Sequence, residues 1–514
     1  MEVTEYPEAS PVKSPSKVSV WSLYDESGRV YYHNPLSAVI FGFRTGLGTF
    51  SSLLIWVGIM LFARRILINN LEQLVDLASS HDFKAVLDVL FQSLGLLPVF
   101  FVTLGFMLYV AFEGVSELFS YYISNSLASI GEFSLEDAIK YVVKHWKTAI
   151  AISYIRLAIP ILSYVLGILF FIVLNWYNML TPSLSYLALL TSILLGMIFY
   201  FLTIFSYNYA SEGYNAKRSI TNSIKFVSSN LRTSFAYIFL VFILSLAVLI
   251  AESVTSFLGF SISTVFSALV SLYIDPTLKI TKSMIYIGSN RLRYVPPKEH
   301  INWVSFGGKV VMKSFRFFIS FFKENIPKIG MLIGFLVLTC FAGLPDGHLI
   351  GESLKNIIPE ISGLINRATP KNYLSMLYSF QMFLSIAFNN WIAGFSSAFS
   401  GIIAFSPLGV IFLNGYIVGL TVGIFQEIYS VNPVLSLIPH GVIEIPVFMA
   451  TCLQGLRISY HILKHFRDDE LPRILDALLR EALYICVGTL IPFMLAAAIE
   501  SSISPIVLRK IIGG

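Results

Sequence analysis

Residues 184–207 read LSYLALLTSILLGMIFYFLTIFSY and contain no charged side chain. An α-helix needs about 20 mostly apolar residues to cross the roughly 30 Å hydrocarbon core of a bilayer, so this run is long enough to span one. A helix satisfies its own backbone hydrogen bonds, which lipid cannot do for it. The stretch therefore predicts a transmembrane helix.

The composition of the whole chain agrees with that stretch. Of 514 residues, 56% are hydrophobic and 13% are charged, and the mean hydropathy is +0.74. In a soluble domain about a quarter of the residues are charged. The charged residues of this chain are therefore too few to cover the surface of a soluble protein of its size. The three cysteines lie in apolar runs and indicate no disulfide framework. These numbers argue against a soluble enzyme and against a nucleic acid as partner, and they favour the lipid bilayer as the surroundings.

Further apolar runs of comparable length recur along the chain. The predicted crossings are Leu47–Ala63, Leu94–Phe112, Ala149–Leu174, Leu184–Tyr207, Ser234–Ala251, Phe257–Leu278, Ile329–Leu344, Asn390–Phe405, Leu408–Ile424, His440–Leu463 and Ala482–Ile499. We therefore predict an all-α, polytopic transmembrane protein with about eleven membrane helices, amphipathic interfacial helices and two bundles.

The distribution of Lys and Arg predicts the orientation, because cytoplasmic loops retain these residues. Cations cluster in residues 140–147, 217–232, 279–328 and 457–473, all on one side of the predicted map. We therefore expect a multi-pass protein of the cell membrane with a cytoplasmic N-terminus. Residues 1–33 are polar and predict a cytoplasmic tail, not a cleaved signal peptide, and Pro345–Tyr373 is the expected outer loop.

The N-terminal half contains a weak internal repeat. Residues 138–148, AIKYVVKHWKT, align with residues 223–233, SIKFVSSNLRT, and each cationic amphipathic segment precedes a long apolar run. Such a segment lies well in the headgroup layer, where its cations meet anionic lipid. This pattern, over residues 34–290, resembles the membrane domains of glycerophosphodiester phosphodiesterase-type proteins. It contains no catalytic motif, so the resemblance implies no phosphodiesterase activity.

Four polar motifs interrupt the apolar runs of the C-terminal half. They are Phe388-Asn389-Asn390, Phe412-Leu413-Asn414-Gly415, PHGVIEIP at residues 439–446 and Gly455-Leu456-Arg457. In this order they resemble the stage II sporulation protein M family over about residues 325–510. The resemblance implies a membrane-embedded partner of an envelope-remodelling complex. We divide the chain into the tail 1–33, an N-terminal membrane domain 34–300 and a family-like membrane domain 301–514.

The PHGVIEIP motif predicts a polar site within lipid. His440 and Glu444 are four residues apart and share one helical face. An ionised Glu at the bilayer centre costs about 2.5–3.5 kcal/mol or more, so Glu444 needs a partner or a proton. The expected polar site consists of Asn389, Asn390, Asn414, Gly415, Pro439, His440, Gly441, Glu444 and Pro446.

Several residues of this site carry a specific structural expectation. Pro439 is expected in the first turn of its helix, where its missing N–H costs nothing, and Pro446 is expected to kink the same helix. Gly441 is expected to let another backbone approach. The three asparagines are expected to reach the His440–Glu444 face from neighbouring helices.

Two interpretations of this polar site remain open. The residues either join helices through hydrogen bonds or line a path for a substrate or proton. Neither His440-x-x-x-Glu444 nor His461-x-x-x-His465 has the zinc-protease form, and no phosphate loop or serine elbow is present. We predict no catalytic residues, no metal, no cofactor and no enzyme activity. The leading function is a scaffold that recruits membrane or envelope proteins, and the alternative is a transporter or channel for a small or lipid-linked solute.

The remaining charged residues have simpler interpretations. Arg44, Glu113, Glu117, Arg156 and Glu252 lie near predicted helix ends and are expected to snorkel to the interface. Asp275-Pro276 is expected to break its helix. Residues 467–480 are expected to form a solvated cytoplasmic connector or short helix.

Overall fold

The structure is a computed structural model that describes residues 19–70, 73, 77, 83–176, 182–257, 260–288, 294–296, 303–355, 375–429, 434–504 and 506–507. All of the regular structure in these residues is helical. The N-terminal helices are α1 Val20–His33, α2 Val39–Asn69, α3 Phe83–Ser93, α4 Leu96–Ile130, α5 Leu135–Trp176, α6 Pro182–Leu202, α7 Ser206–Ala210, α8 Ala216–Ser229, α9 Leu231–Phe257 and α10 Phe260–Gly288. The C-terminal helices are α11 Trp303–Glu324, α12 Ile326–Lys355, α13 Ser375–Ser400, α14 Ser406–Tyr429, α15 Val434–His465, α16 Leu471–Gly488 and α17 Leu490–Ser502.

Within the described residues, eight helical segments are long and apolar enough to cross a membrane. They are Pro35–Leu67, Leu96–Ile130, Leu190–Ala210, Leu231–Ala251, Ile326–Lys355, Ser406–Ile428, Val434–His465 and Leu471–Ser502. The prediction of an all-α, polytopic membrane protein is thereby confirmed. Of the other predicted crossings, Ala149–Leu174 and Phe257–Leu278 lie partly outside the described side chains. Asn390–Phe405 is interrupted, because α13 ends at Ser400 and α14 begins at Ser406.

The chain forms two compact units that are interleaved in sequence. The first contains Met1–Arg44, Val110–Ala247 and Val270–Ile301, and the second contains Thr45–Tyr109, Val248–Leu269 and Asn302–Gly514. We call them unit 1 and unit 2. The predicted domains are consecutive in sequence and meet at residue 300, whereas units 1 and 2 are interleaved. The predicted division therefore stays a prediction.

Unit 1 contains both members of the predicted repeat as amphipathic helices. Ala138, Ile139 and Val142 are buried at the start of α5, while Lys140 on the same turn is exposed. In α8, the apolar side chains of Phe226 and Val227 are buried and Lys225 is exposed. α8 ends at Ser229 before α9 begins, whereas the first member runs without a break into the rest of α5. The last 14 residues of the predicted tail form α1, in which Val20, Leu23 and Val30 are buried.

The charged residues of unit 1 form ion pairs between helices. Glu117 Oε1 lies 2.9 Å from Lys279 Nζ, and these side chains are 15% and 5% exposed. Glu113 Oε1 lies 2.8 Å from Arg44 Nη2. The snorkelling prediction is therefore wrong for Arg44, Glu113 and Glu117, because each has an opposite charge on another helix. The predicted break at Asp275-Pro276 is also wrong, since α10 continues through Pro276. The side chain of Glu252 lies outside the described residues.

Unit 2 is held by a close contact between α12 and α14. Small residues line both faces with a spacing of four, as Gly343, Gly347 and Gly351 on α12 and as Gly415, Gly419 and Gly423 on α14. A Cβ atom on Gly347 would lie 2.9 Å from the Cα atom of Gly423. Backbones that approach this closely are typical of small-x-x-x-small helix pairs in membranes.

Two connecting segments of unit 2 contain helix, which differs from the expected outer loop but is one of the two forms expected of residues 467–480. The expected outer loop Pro345–Tyr373 is helical as far as Lys355, because Pro345 is accommodated inside α12. Residues 356–373 lie outside the described part of the chain. The predicted connector 467–480 becomes helical at Leu471, and α16 buries Leu475, Leu478 and Leu479. Its acidic start, Asp468 to Glu470, is exposed as expected.

Candidate functional site

The PHGVIEIP motif lies within the long helix α15. The helix begins at Val434 and continues through both Pro439 and Pro446 to His465. Pro439 is therefore not in the first turn, which corrects the prediction. A helix that continues through two prolines loses backbone hydrogen bonds at each of them, so carbonyl oxygens are left without their usual donors. Both prolines flank the turn that carries His440 and Glu444.

His440, Glu444 and Glu500 form one cluster of potential ligand atoms. One ligand atom from each side chain lies within 4.8 Å of the others. His440 Nε2 lies 3.9 Å from Glu500 Oε2, and His440 is 7% exposed. Glu444 Oε2 is buried and has no hydrogen-bond partner among the described residues. The cluster thus joins α15 to α17 through one imidazole and two carboxylates.

Ser504 orients the imidazole of His440. Its hydroxyl oxygen lies 2.9 Å from His440 Nδ1, and Ser504 is itself buried. With Nδ1 engaged in this hydrogen bond, Nε2 is the ring nitrogen that faces Glu500. Second partners of this kind fix the ring orientation of histidines that bind metals or protons.

Sequence reasoning did not identify Glu500 and Ser504. Glu500 directly follows the apolar run 490–499. An acidic residue at such a position usually indicates only the end of a membrane helix. The available signal was a lone carboxylate at the end of a run that lacks any other charge. Its proximity to His440 depends on how α15 and α17 pack, which no local pattern reveals.

The three asparagines do not join this cluster. Asn389 is exposed and Asn390 half-buried on α13, and Asn414 is exposed on α14. The Asn414 amide donates to the carbonyl oxygen of Val410 on its own helix, at 2.8 Å. Within the described residues, no hydrogen bond connects any of the three to His440 or Glu444. The membership of these asparagines in the site stays a prediction without a contact to support it.

Gly415 and Gly441 have roles that differ from those expected. A Cβ atom on Gly415 would overlap Thr339 Oγ1 and would lie 2.7 Å from the Leu336 carbonyl oxygen, so Gly415 serves the contact between α12 and α14. A Cβ atom on Gly441 would meet only the Ile445 side chain of its own helix, at 3.4 Å. The expected close approach of another backbone therefore occurs at Gly415 and not at Gly441.

The Gly455-Leu456-Arg457 motif forms a second polar junction farther along α15. Arg457 Nη1 donates to Glu481 Oε2 at 2.8 Å and to Gln454 Oε1 at 2.9 Å. The buried Gln454 amide in turn donates to the Leu478 carbonyl oxygen of α16, at 2.9 Å. Among the described residues, Arg457, Gln454 and Glu481 all make hydrogen bonds here, so the junction joins α15 to α16.

The charge of the His440 cluster distinguishes it from that junction. Two carboxylates close together repel one another, and burial away from water makes two negative charges costly. A proton on one carboxylate or a bound cation relieves this repulsion. Imidazole nitrogen and carboxylate oxygens form a ligand set that suits zinc and similar divalent ions. The arrangement can therefore hold a positive charge within a helix that is apolar enough to cross the membrane.

Comparison with known proteins supports the resemblance of the C-terminal half. Residues 256–505 match the model of the family described as Stage II sporulation protein M. The match includes all four polar motifs and also Glu500 and Ser504. It does not reach residues 34–255, and the resemblance of that part to glycerophosphodiester phosphodiesterase-type membrane domains is not supported. No curated protein and no solved structure matches the chain.

Proposed function

We propose that this multi-pass membrane protein is a transporter that uses His440, Glu444 and Glu500 as the binding site of a proton or a divalent cation. One observation carries the proposal. Glu444 Oε2 is buried without a hydrogen-bond partner among the described residues, and its carboxyl group lies close to that of Glu500. The Glu481 carboxylate, by contrast, accepts a hydrogen bond from Arg457 on another helix, as a carboxyl group that joins helices would.

The position of the cluster supports transport more than storage of a structural ion. Both α15 and the α16–α17 segment are long and apolar enough to cross a bilayer. Ionisable groups within such helices mark ion and proton pathways by default, because their burial in lipid is costly. α15 continues through Pro439 and Pro446, and the carbonyl oxygens that such prolines leave without donors can coordinate a substrate or ion.

Flux through proteoliposomes tests this proposal. Full-length protein is reconstituted with an indicator of pH or of Zn²⁺ inside the vesicles, and a gradient of one or the other ion is applied. We expect flux above that of empty vesicles, a loss of about tenfold or more in Glu444→Gln, and wild-type flux in Glu352→Gln. Glu352 is a matched control, because it is an exposed glutamate on α12 of the same unit. Wild-type protein that carries neither ion, or equal flux in both variants, contradicts the proposal.

A second candidate is the scaffold that recruits membrane or envelope proteins. It is supported by the match to a sporulation-protein family and by α11, whose exposed face carries Lys309, Lys313, Arg316 and Lys323. The opposite face of α11 is buried, with Ser314 and Phe318 packed against Gly488 of α16. A helix of this kind lies in the headgroup layer, and its cations attract anionic lipid headgroups. We therefore propose that α11 lies at the cytoplasmic face of the cell membrane, where Lys and Arg are retained, and the cytoplasmic N-terminus stays a separate proposal.

The same reconstitution separates the two candidates. A scaffold has no reason to move ions, so wild-type vesicles would show only the background flux of empty vesicles. A transporter shows flux that depends on Glu444, whatever proteins it also contacts.

A further inference from the structure

Among the described residues, two basic side chains of unit 1, one buried and one half-buried, have no acidic partner within ion-pair distance. Lys282 on α10 is 6% exposed, and its ammonium group lies 2.6 Å from the hydroxyl oxygen of Tyr121. Arg156 on α5 has a buried Nε atom without a hydrogen-bond partner. Among the described residues, no carboxylate lies within ion-pair distance of either side chain. Lys282 is thus buried, and Arg156 partly so, with no carboxylate of the described residues in direct contact with either.

A pair of stacked tyrosines lies beside the two cations. The rings of Tyr121 and Tyr207 are 6.2 Å apart and nearly parallel, at 8°. The ammonium nitrogen of Lys282 lies 4.2 Å from the centre of the Tyr121 ring. The guanidinium carbon of Arg156 lies 5.6 Å from the Tyr207 ring and 4.4 Å from the Tyr200 ring. Aromatic faces attract cations, but they do not supply the negative charge that neutralises them.

The nearby acids are already engaged with other cations. Glu117 pairs with Lys279 at 2.9 Å, and Asp275 lies 3.4 Å from the same ammonium group. Glu113 pairs with Arg44 at 2.8 Å. The local charged groups are the cations Arg44, Arg156, Lys279 and Lys282 and the acids Glu113, Glu117 and Asp275. Among the described residues, these four basic and three acidic groups carry one net positive charge when all seven are ionised.

The Lys282 ammonium group and the Arg156 guanidinium group repel one another. Holding these two groups together away from water is costly unless an anion joins them or the lysine gives up its proton. Their donor groups, a planar guanidinium, an ammonium and a phenolic hydroxyl, form the set that binds phosphate oxygens. Phosphate fits this set better than a carboxylate does, because it offers more acceptor oxygens to three donors that come from different helices.

We propose that Arg156 and Lys282, with the hydroxyl of Tyr121, form a binding site for a phosphate-bearing anion in unit 1. The ligand is either the phosphodiester headgroup of a lipid or free inorganic phosphate. The residues of the site belong to α4, α5 and α10, so a bound phosphate ties three helices together. This site is independent of the His440 cluster and of the proposed transport.

The experiment measures retained lipid and phosphate-dependent stability. Full-length protein is placed in nanodiscs of phosphatidylcholine and phosphatidylglycerol, and the lipid retained after detergent extraction is counted by native mass spectrometry. In a separate arm, the unfolding temperature of detergent-purified protein is measured as inorganic phosphate is added. The reference is a chloride solution of equal ionic strength that contains no sulfate. The variants are Arg156→Gln, Lys282→Met and, as the conservative change, Arg156→Lys. Lys144→Gln is the matched control, because Lys144 is an exposed cation on α5.

Two results support the site and name its ligand. Retention of phosphatidylglycerol that falls about tenfold in Arg156→Gln and Lys282→Met, but not in Lys144→Gln, identifies a lipid headgroup. A rise of the unfolding temperature with inorganic phosphate that is lost in the same two variants identifies free phosphate. Arg156→Lys is expected to retain part of either effect. Wild-type protein that neither retains the anionic lipid nor responds to phosphate overturns the proposal, and this result does not depend on whether the variants fold. Folded variants that behave as wild type overturn it equally.

Discussion

His440 Nδ1 and Ser504 Oγ lie 2.9 Å apart, although 64 residues separate them in the sequence. This contact decides which face of the imidazole meets Glu500, because the second ring nitrogen then points to that carboxylate at 3.9 Å. The PHGVIEIP motif supplies His440 and Glu444, α17 supplies the second carboxylate at Glu500, and Ser504 lies just beyond the end of α17. The site therefore exists only when α15 and α17 are packed together.

Replacement of Ser504 by alanine should weaken cation binding at this cluster. The hydroxyl fixes the orientation of the ring, and loss of such a second partner typically costs 10- to 100-fold in metal affinity. We expect Ser504→Ala to reduce the affinity for Zn²⁺ by about tenfold, as measured by calorimetric titration. Ser502→Ala changes an exposed serine of α17 and should leave the affinity unchanged. Equal affinities in the two variants would show that the hydrogen bond does not position His440.

Replacement of Gly343 by alanine should destabilise unit 2. A Cβ atom there would overlap the carbonyl oxygen of Tyr416, which is backbone and has little room to move. Overpacking of this kind costs about 1–3 kcal/mol, so the unfolding temperature in detergent should fall. Gly334→Ala is the control on the same helix, since nothing lies within 4 Å of a Cβ atom at that position. If both variants unfold at the same temperature, the helices do not pack through their glycines.

Replacement of Glu117 by glutamine should destabilise unit 1 through the charge that it leaves behind. Lys279 is 5% exposed and would lose its closest carboxylate. Removal of one partner of a buried ion pair costs about 3–5 kcal/mol when the other charge is left alone. Because Asp275 remains 3.4 Å from the Lys279 ammonium group, we expect a loss near the lower end of that range. Asp25→Asn removes an exposed pair with Arg29 and should cost about 1 kcal/mol or less. Chemical denaturation that gives equal losses for both variants would show that the Glu117–Lys279 pair is solvated.

The double variant Glu117→Leu with Lys279→Met is a further test of the same pair. When both charges are replaced by apolar side chains, no buried charge remains unpaired. We expect the double variant to be more stable than Glu117→Gln alone. A double variant that is less stable than Glu117→Gln would mean that the pair contributes more than mutual neutralisation.

The sequence predicts the helices well and the pairing of their polar groups poorly. Most of an apolar run such as residues 184–207 lies in helix, because length and hydropathy are local properties, although α6 ends at Leu202 and α7 begins at Ser206. His440 and Glu444 lie close together because a spacing of four residues places both on one face of a helix. Glu113 and Arg44 are 69 residues apart, and each by itself looks like the end of a membrane helix. Their pairing depends on tertiary packing. The local sequence around each residue therefore predicts only a side chain that reaches the membrane–water interface.

The difference between local patterns and tertiary packing also explains why the sequence did not predict the roles of Gly415 and Glu500. Gly415 stands beside Asn414 in a polar motif, yet it serves the contact of α14 with α12, because glycines at Gly343 and Gly347 repeat with the same spacing. Glu500 lies outside every motif and meets His440 only in the folded structure. Paired small-x-x-x-small patterns in the sequence indicate the role of Gly415. No local pattern indicates that Glu500 lies near His440.

Calorimetric titration of Zn²⁺ into the full-length protein tests the cation site most directly, in two buffers that differ in ionisation enthalpy. A site formed by one imidazole and two carboxylates should bind one Zn²⁺ per chain and release protons as it does so. We predict this binding in the wild type and in Glu352→Gln, and its loss in Glu444→Gln and Glu500→Gln. Wild-type protein that binds no Zn²⁺, or a Glu444→Gln variant that binds it with unchanged affinity, would contradict the assignment of His440, Glu444 and Glu500 as a cation site.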